Sequence, residues 1–184
     1  PRVVLAGHSL GALTAIAAAR NVPERIAALL LEDPPLPLPN DPFHLDPFWR
    51  SFAEVLFGLA AIKHRPHEEV VAQIREWLPD LPLDKAHEYA ASVIDTADGV
   101  FAAITGGTFG GNDLLAPGPS VPIPTLLFQG AIPEQRGLQD SGVAALRAIF
   151  PNLTLVTIPD TGHSILEAAP AAYRQAVAAF FGDT

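Results

Sequence analysis

The chain has 184 residues, enough for one domain with a sizeable core. Hydrophobic residues make up 49% and charged residues 17%, against roughly 25% charged in an average domain, so some apolar surface is expected to face a pocket or a partner. Twenty acidic against eleven basic residues give a net charge of −9 with no basic cluster, which argues against nucleic acid; the absence of Cys excludes disulfides, thiolate catalysis and Cys-ligated zinc.

Pro1 to Leu5, stopped by Ala6-Gly7, has the β-branched character of a buried strand. Leu10 to Arg20 is Ala-rich and helical, with Leu10, Leu13 and Ala17 on one face, and is ended by Asn21 and Pro23. Ile26 to Leu31 is a second apolar run, too short for most helices, stopped by Glu32-Asp33-Pro34-Pro35. Strand, helix and strand within about thirty residues form a βαβ unit, which predicts a parallel sheet covered on both faces.

Six prolines between Pro34 and Pro47 make a stiff exit from that sheet. Three helical patterns follow: the stripe of Phe48, Phe52, Val55, Leu56 and Leu59, then His67 to Leu78, then Lys85 to Ile104. The glycine-rich segment 106–111 lacks the Lys of a phosphate loop and is expected to be a mobile return from this helical insert. Leu114 to Pro133 carries no charge, but five prolines within it exclude a membrane-spanning helix. The chain therefore reads as soluble; nothing assigns a compartment, and the cytoplasm is favoured. Strand logic resumes at Pro124 to Phe128, with a turn at Gln129-Gly130. A helix from Asp140 to Phe150, a strand from Leu153 to Ile158 and a final helix from Ile165 to Phe181 complete the pattern.

Gly7-His8-Ser9-Leu10-Gly11 matches Gly-x-Ser-x-Gly between a predicted strand and a predicted helix, the setting a nucleophile elbow requires. The turn is expected to strain Ser9 and lift its hydroxyl off the sheet end. Gly7 and Gly11 leave room for strand and helix to pack, and the Leu10 N–H points where an oxyanion forms. The simpler alternative is a glycine-bounded turn whose Ser caps the helix.

On this motif and its setting the chain resembles the α/β-hydrolases, more narrowly their lid-bearing serine hydrolases. The resemblance implies an α/β fold with a parallel sheet, flanking helices and a helical lid insert. The strand before Ser9 is similar to the family's fifth, and Ile26–Leu31, Thr125–Phe128 and Leu153–Ile158 to its sixth, seventh and eighth. Residues 1–33 and 116–184 are then the core, and 34–115 the lid. Only the second half of the fold is matched, and the loop that gives the other oxyanion donor lies in the unmatched half. A four-stranded half sheet leaves an apolar edge, so a fragment or one chain of a two-chain assembly is expected, with an N-terminal half or second chain as complement. The missing initiator Met leads to the expectation of a processed, trimmed or excerpted N-terminus.

His163, in Pro159-Asp160-Thr161-Gly162-His163-Ser164, resembles the family's catalytic histidine loop. A His near its ordinary pKa can take the Ser9 proton and return it to the leaving group. The family usually carries its acid just after the seventh strand, but there Ala131, Ile132 and Pro133 stand, with Glu134 one step late. The alternative is the end of the sixth strand, as in haloalkane dehalogenases of the same superfamily, where strand register favours Asp33 beside Glu32. A dyad with no acid stays open.

The resemblance implies a serine hydrolase acting on an ester or similar acyl compound with an apolar part, through Ser9, His163, Asp33 and the Leu10 N–H, with no cofactor or metal. Other reactions of the fold (lactonase, C–C hydrolase, cofactor-free haloperoxidase or perhydrolase) and a non-catalytic ligand-binding member remain alternatives. His64 and His67 are three apart, but Pro66 between them argues against a metal site. His8 reads as a motif filler that could line the pocket, and His44 and His87 are unassigned. The aromatic stripe of Phe43, Phe48, Trp49, Phe52 and Phe57 fits lid packing or a substrate wall.

Overall fold

A computed structural model describes residues 1–36, 47–105 and 114–182, with the backbone alone at 47–49, 51–52 and 103–105. In chain order the elements are β1 (Val3–His8), α1 (Leu10–Asn21), β2 (Ile26–Glu32), α2 (Pro47–Ile62), α3 (His67–Trp77), α4 (Leu83–Asp95) and α5 (Asp98–Thr105). β3 (Thr125–Gly130), α6 (Asp140–Ile149), β4 (Leu153–Ile158), α7 (Ile165–Ala168) and α8 (Pro170–Phe181) follow. The chain divides into two compact units, Pro1–Asn40 with Asn112–Thr184, and Asp41–Gly111. The helical unit is narrower than the expected 34–115. Leu36 explains part of the difference: it is buried in the core of the sheet unit, and its carbonyl accepts the Gln139 N–H at 2.8 Å.

The sheet unit is a four-stranded, wholly parallel sheet in the order β1-β2-β3-β4. Its central strands read as unbroken apolar runs because both their faces are covered. Leu29, Leu31 and Leu127 pack with Ile16 of α1 and Leu146 of α6, while Leu126 and Phe128 point the other way, toward Ile165 and the half-buried side of α8. There Phe128 stacks on Tyr173 at 4.1 Å between ring centroids. Coverage fails at β1, where Val3 and Val4 are 46% and 47% exposed on the sheet's edge strand.

Three local expectations need correction. Leu10 is 53% exposed, and α1 buries Ala12, Leu13, Ala15, Ile16 and Ala19 instead, a stripe turned away from Leu10. The last helix is two, because Pro170 lacks the N–H that would continue α7 and instead opens α8 at a position where none is needed. The third helical pattern is also two helices, α4 and α5, separated where Thr96 turns extended.

The helical unit has its own core, including Leu59, Ile62, Val70, Ile74, Ala90 and Val93. Lys63 is buried, with its ammonium 2.5 Å from Asp98 and over the Phe101 ring. That hydrogen bond and charge hold the Asp98 carboxyl below its ordinary range. Leu56, Leu59, Tyr89, Val93, Val100 and Phe101 border an apolar cavity of about 220 Å³, and burial there raises the Tyr89 phenol. Residues 106–111, Phe43 and His44, and the side chains of Phe48, Trp49 and Phe52, lie outside what is described; Phe57 is 46% exposed. Among the described residues no helix is long and apolar enough to cross a membrane.

Gly7 shows why this sheet needs a glycine at its edge. A Cβ there would lie 2.4 Å from the backbone carbon of Gly11, whereas a Cβ on Gly11 meets nothing within 4 Å. The expected collision is therefore real at Gly7 and absent at Gly11. Gly7→Ala is expected to cost more than about 2 kcal/mol, because backbone must move, and Gly11→Ala to be neutral or stabilising in a helix by up to about 1 kcal/mol. Thermal denaturation of the two variants checks the contrast; equal losses would remove the crowding argument.

Candidate active site

Ser9 joins β1 to α1 with φ 54° and ψ −119°, a conformation that a non-glycine residue adopts only when its surroundings force it. Two ties hold it. Its N–H donates to the Glu32 carbonyl at 3.0 Å, and its own carbonyl accepts the N–H groups of Ala12 and Leu13 at 3.0 and 3.2 Å. The Leu10 N–H lies in the first turn of α1, whose donors a helix cannot satisfy from within.

Register brings Asp33 to the neighbouring strand end. His8 of β1 pairs with Glu32 of β2, so Ser9 and Asp33 each follow one of two paired residues. Asp33 is fully buried and has φ 41°; its N–H donates to the Phe128 carbonyl at 3.1 Å. Its carboxylate accepts the Gly137 N–H at 2.7 Å and the Leu138 N–H at 3.2 Å, and His163 Nδ1 lies 2.6 Å from Oδ2. The third non-glycine residue with positive φ among those described is Asp160, in the turn after β4 that leads to His163. All three left-handed kinks fall just beyond strand carboxyl ends, the edge at which parallel sheets bind ligands.

The His163 loop is pinned rather than hanging. Thr161 Oγ1 donates to the Ile158 carbonyl at 2.8 Å, and the Ile132 N–H donates to the Thr161 carbonyl at 3.0 Å. A Cβ on Gly130 would sit 2.3 Å from the Gly162 carbonyl oxygen, so the end of β3 must be glycine for the loop to close over it. The His163 side chain is 21% exposed. A small, partly buried network fixes the donors to Asp33: Arg136 donates to the Gly130 carbonyl and to Asp140, and the Gln129 amide donates to the Leu138 carbonyl and to Asp140.

The competing acids are elsewhere. Glu134 is exposed, in the short turn Pro133–Gln135. Glu32 is buried, and its Oε1 accepts the Leu166 N–H at 2.8 Å, placing negative charge at the start of α7. Burial and, after it, the charge of Glu32 raise the Tyr173 phenol.

Sequence reasoning undervalued His8. Its ring centroid is 4.5 Å from that of His163, tilted by 48°, and its Nε2 donates to the His163 carbonyl at 3.1 Å. The residue before Ser9 is thus in contact with the His163 loop. Only the crossing of β1 and the loop after β4 shows this, since 155 positions separate the two. Gly137 and Leu138 were also invisible, because their contribution is backbone N–H. The pair of buried Arg136 and exposed Asp140, four apart where α6 begins, was the one available hint.

A parallel sheet with a kinked Ser after one strand, a buried carboxylate after the next and a His after the last defines a class of hydrolase fold. The model of the alpha/beta hydrolase family matches residues 1–176, and the chain belongs to that family. None of the curated proteins matches. Among solved structures, a marine microorganism esterase superposes with a TM-score of 0.71 at 19% identity, over 97% of this chain and 70% of its own. The N-formylmaleamic acid deformylase from Pseudomonas putida S16 gives 0.69 at 21% identity, over 95% and 66%. A thermophilic esterase from Thermogutta terrifontis gives 0.59 at 25% identity, over 98% and 64%. The chain therefore spans about two thirds of the length of these structures.

Removing the Asp33 carboxylate strands two buried backbone donors together with the His163 ring. Asp33→Ala is expected to lower stability by about 2 kcal/mol or more, against less than about 0.5 kcal/mol for Glu134→Ala at an exposed site. Urea denaturation of both variants measures this, and a stable Asp33→Ala protein would mean the three donors find other partners.

Proposed function

We propose that the chain is a serine hydrolase that cleaves an ester or similar acyl compound with an apolar part. The observation that carries this reading is the 2.6 Å contact between His163 Nδ1 and the buried carboxylate of Asp33, next in register to the kinked Ser9. With Nδ1 held as the donor to Asp33, Nε2 is the nitrogen that takes the Ser9 proton as Oγ attacks the acyl carbon. The oxyanion then forms at the Leu10 N–H, and the imidazolium hands its proton to the leaving group. Water repeats the sequence on the acyl-serine, releasing the acid and restoring Ser9.

Asp33 takes the role of the acid from the end of β2, so Ala131, after β3, does not have to. With Asp33 in that role, the absence of an acid at position 131 does not by itself favour the alternative of a non-catalytic ligand binder. The helical unit Asp41–Gly111 enters the chain between β2 and β3, where the resemblance expects a lid, and is assigned as that lid. The exposed edge of β1 is assigned to a complementary segment or chain, which would also bring the second oxyanion donor.

Turnover of short p-nitrophenyl esters tests the assignment. Ser9→Ala is expected to lose at least about 10³-fold in kcat, and Asp33→Asn about 10⁴-fold, while Glu134→Gln changes little. A folded Ser9→Ala protein of near-normal activity would end the mechanism, and the opposite order for the two carboxylate variants would transfer the acid to Glu134.

A further inference from the structure

The helical unit contains a second set of polar side chains that the hydrolase chemistry does not use. His67 opens α3 and Glu68 follows it; His87 lies on the second turn of α4. His67 precedes the buried Val70 and Val71 by three and four residues, so it extends the buried stripe of α3. His87 stands between Ala86 and Ala90, the residues α4 buries in the same core. Packing of the two helices therefore brings the imidazoles end to end, nitrogen toward nitrogen, with 5.3 Å between centroids and the planes 15° from parallel. His67 Nε2 and His87 Nδ1 are 3.0 Å apart, and each ring offers a nitrogen within 4.8 Å of a Glu68 carboxylate oxygen.

We propose that His67, Glu68 and His87 bind a divalent transition-metal ion of the zinc type and so clamp α3 to α4. Two nitrogens bound to tetrahedral zinc at 2.0–2.1 Å stand about 3.3 Å apart, so the nitrogens must part by a few tenths of an ångström and each ring must turn by roughly 35° to aim its lone pair at the shared ion. Glu68 is exposed and on a flexible stem, so its carboxylate can swing onto the ion as third ligand. The fourth position faces solvent and takes water. Imidazole nitrogen selects zinc, copper or nickel over magnesium or calcium, whose shells are all oxygen. The helix dipole at the start of α3 opposes a cation, and Glu68 and Glu69 in that first turn offset it. Asp84 and Glu88 of α4 add negative charge nearby in sequence, although Glu88 is already paired with Lys85 at 2.7 Å.

The sequence had weighed His64 with His67 as a metal pair and set it aside because Pro66 separates them. That objection stands. His64 goes to Asp98 at 3.1 Å, while the partner of His67 comes from twenty residues further on.

Calorimetric titration of the chelator-treated full chain with Zn²⁺ tests the site, and the visible d–d spectrum with Co²⁺ reports its geometry. One ion per chain with a dissociation constant in the micromolar range or tighter is expected, with a four-coordinate Co²⁺ spectrum and a raised Tm. His67→Ala and His87→Ala should each weaken Zn²⁺ at least about tenfold, while His64→Ala and His163→Ala leave it unchanged. His67→Asn and His87→Asn serve wherever circular dichroism shows that an Ala variant has unfolded. No binding at about 1 mM Zn²⁺, or binding that survives loss of His67 and His87 or falls with His163, would overturn the site. The first of these outcomes leaves a hydrogen-bonded imidazole pair.

Discussion

A carboxylate without exposed surface is costly unless donors replace the water it gave up. Asp33 has three such donors, each from a different sequence neighbourhood than its own: the N–H groups of Gly137 and Leu138 before α6, and the ring of His163 after β4. Meeting the desolvation cost therefore requires that β2, β3 and β4 be in register and that both loops be closed. Most of the sheet end follows from this one group. Arg136 and Gln129 hold the loop that offers the two N–H groups, and Gly130 makes room for the loop that offers the ring.

The same edge concentrates backbone strain. Ser9, Asp33 and Asp160 are the non-glycine residues with positive φ among those described, and each stands within two residues of the end of a strand. Each such conformation costs on the order of 1–3 kcal/mol and persists only where the surroundings over-determine it. At Ser9 the determining groups are the Glu32 carbonyl and the first turn of α1; at Asp33 they are the Phe128 carbonyl and the three donors to its side chain. Strain and buried charge thus meet where three strands end, while the sheet behind them is ordinary apolar packing. The proposed chemistry uses the part of the molecule whose geometry is most tightly fixed.

Much of this was legible in the sequence because it depends on local pattern. The two strands flanking α1, their parallel sense and the glycine–serine turn all follow from apolar runs and turn residues within thirty-odd positions. β4 and α6 were equally plain. Asp33 could be nominated because strand register is a local property, and His163 because its loop follows a strand, but the N–H groups of Gly137 and Leu138 could not be, since a backbone donor over a hundred residues away leaves no mark in the pattern. What local pattern missed depended on tertiary packing or on a single missing N–H. Leu10 is exposed because the face of α1 is chosen by the strands it packs on, and Pro170 divides a helix that periodicity alone continues. His87 had no sequence signal, and His8 only its place beside Ser9: each finds an imidazole partner only when a distant element folds against it.

In the proposed mechanism Ser9 is a nucleophile activated through His163 by Asp33. Covalent labelling with a fluorophosphonate probe, with the adduct located by peptide mass spectrometry, tests it most directly. A single phosphonyl adduct on Ser9 is expected, formed rapidly in the parent chain, far more slowly in the Asp33→Asn protein and not at all in Ser9→Ala. No adduct in the folded parent chain, or an adduct on another residue that persists in Ser9→Ala, would contradict it.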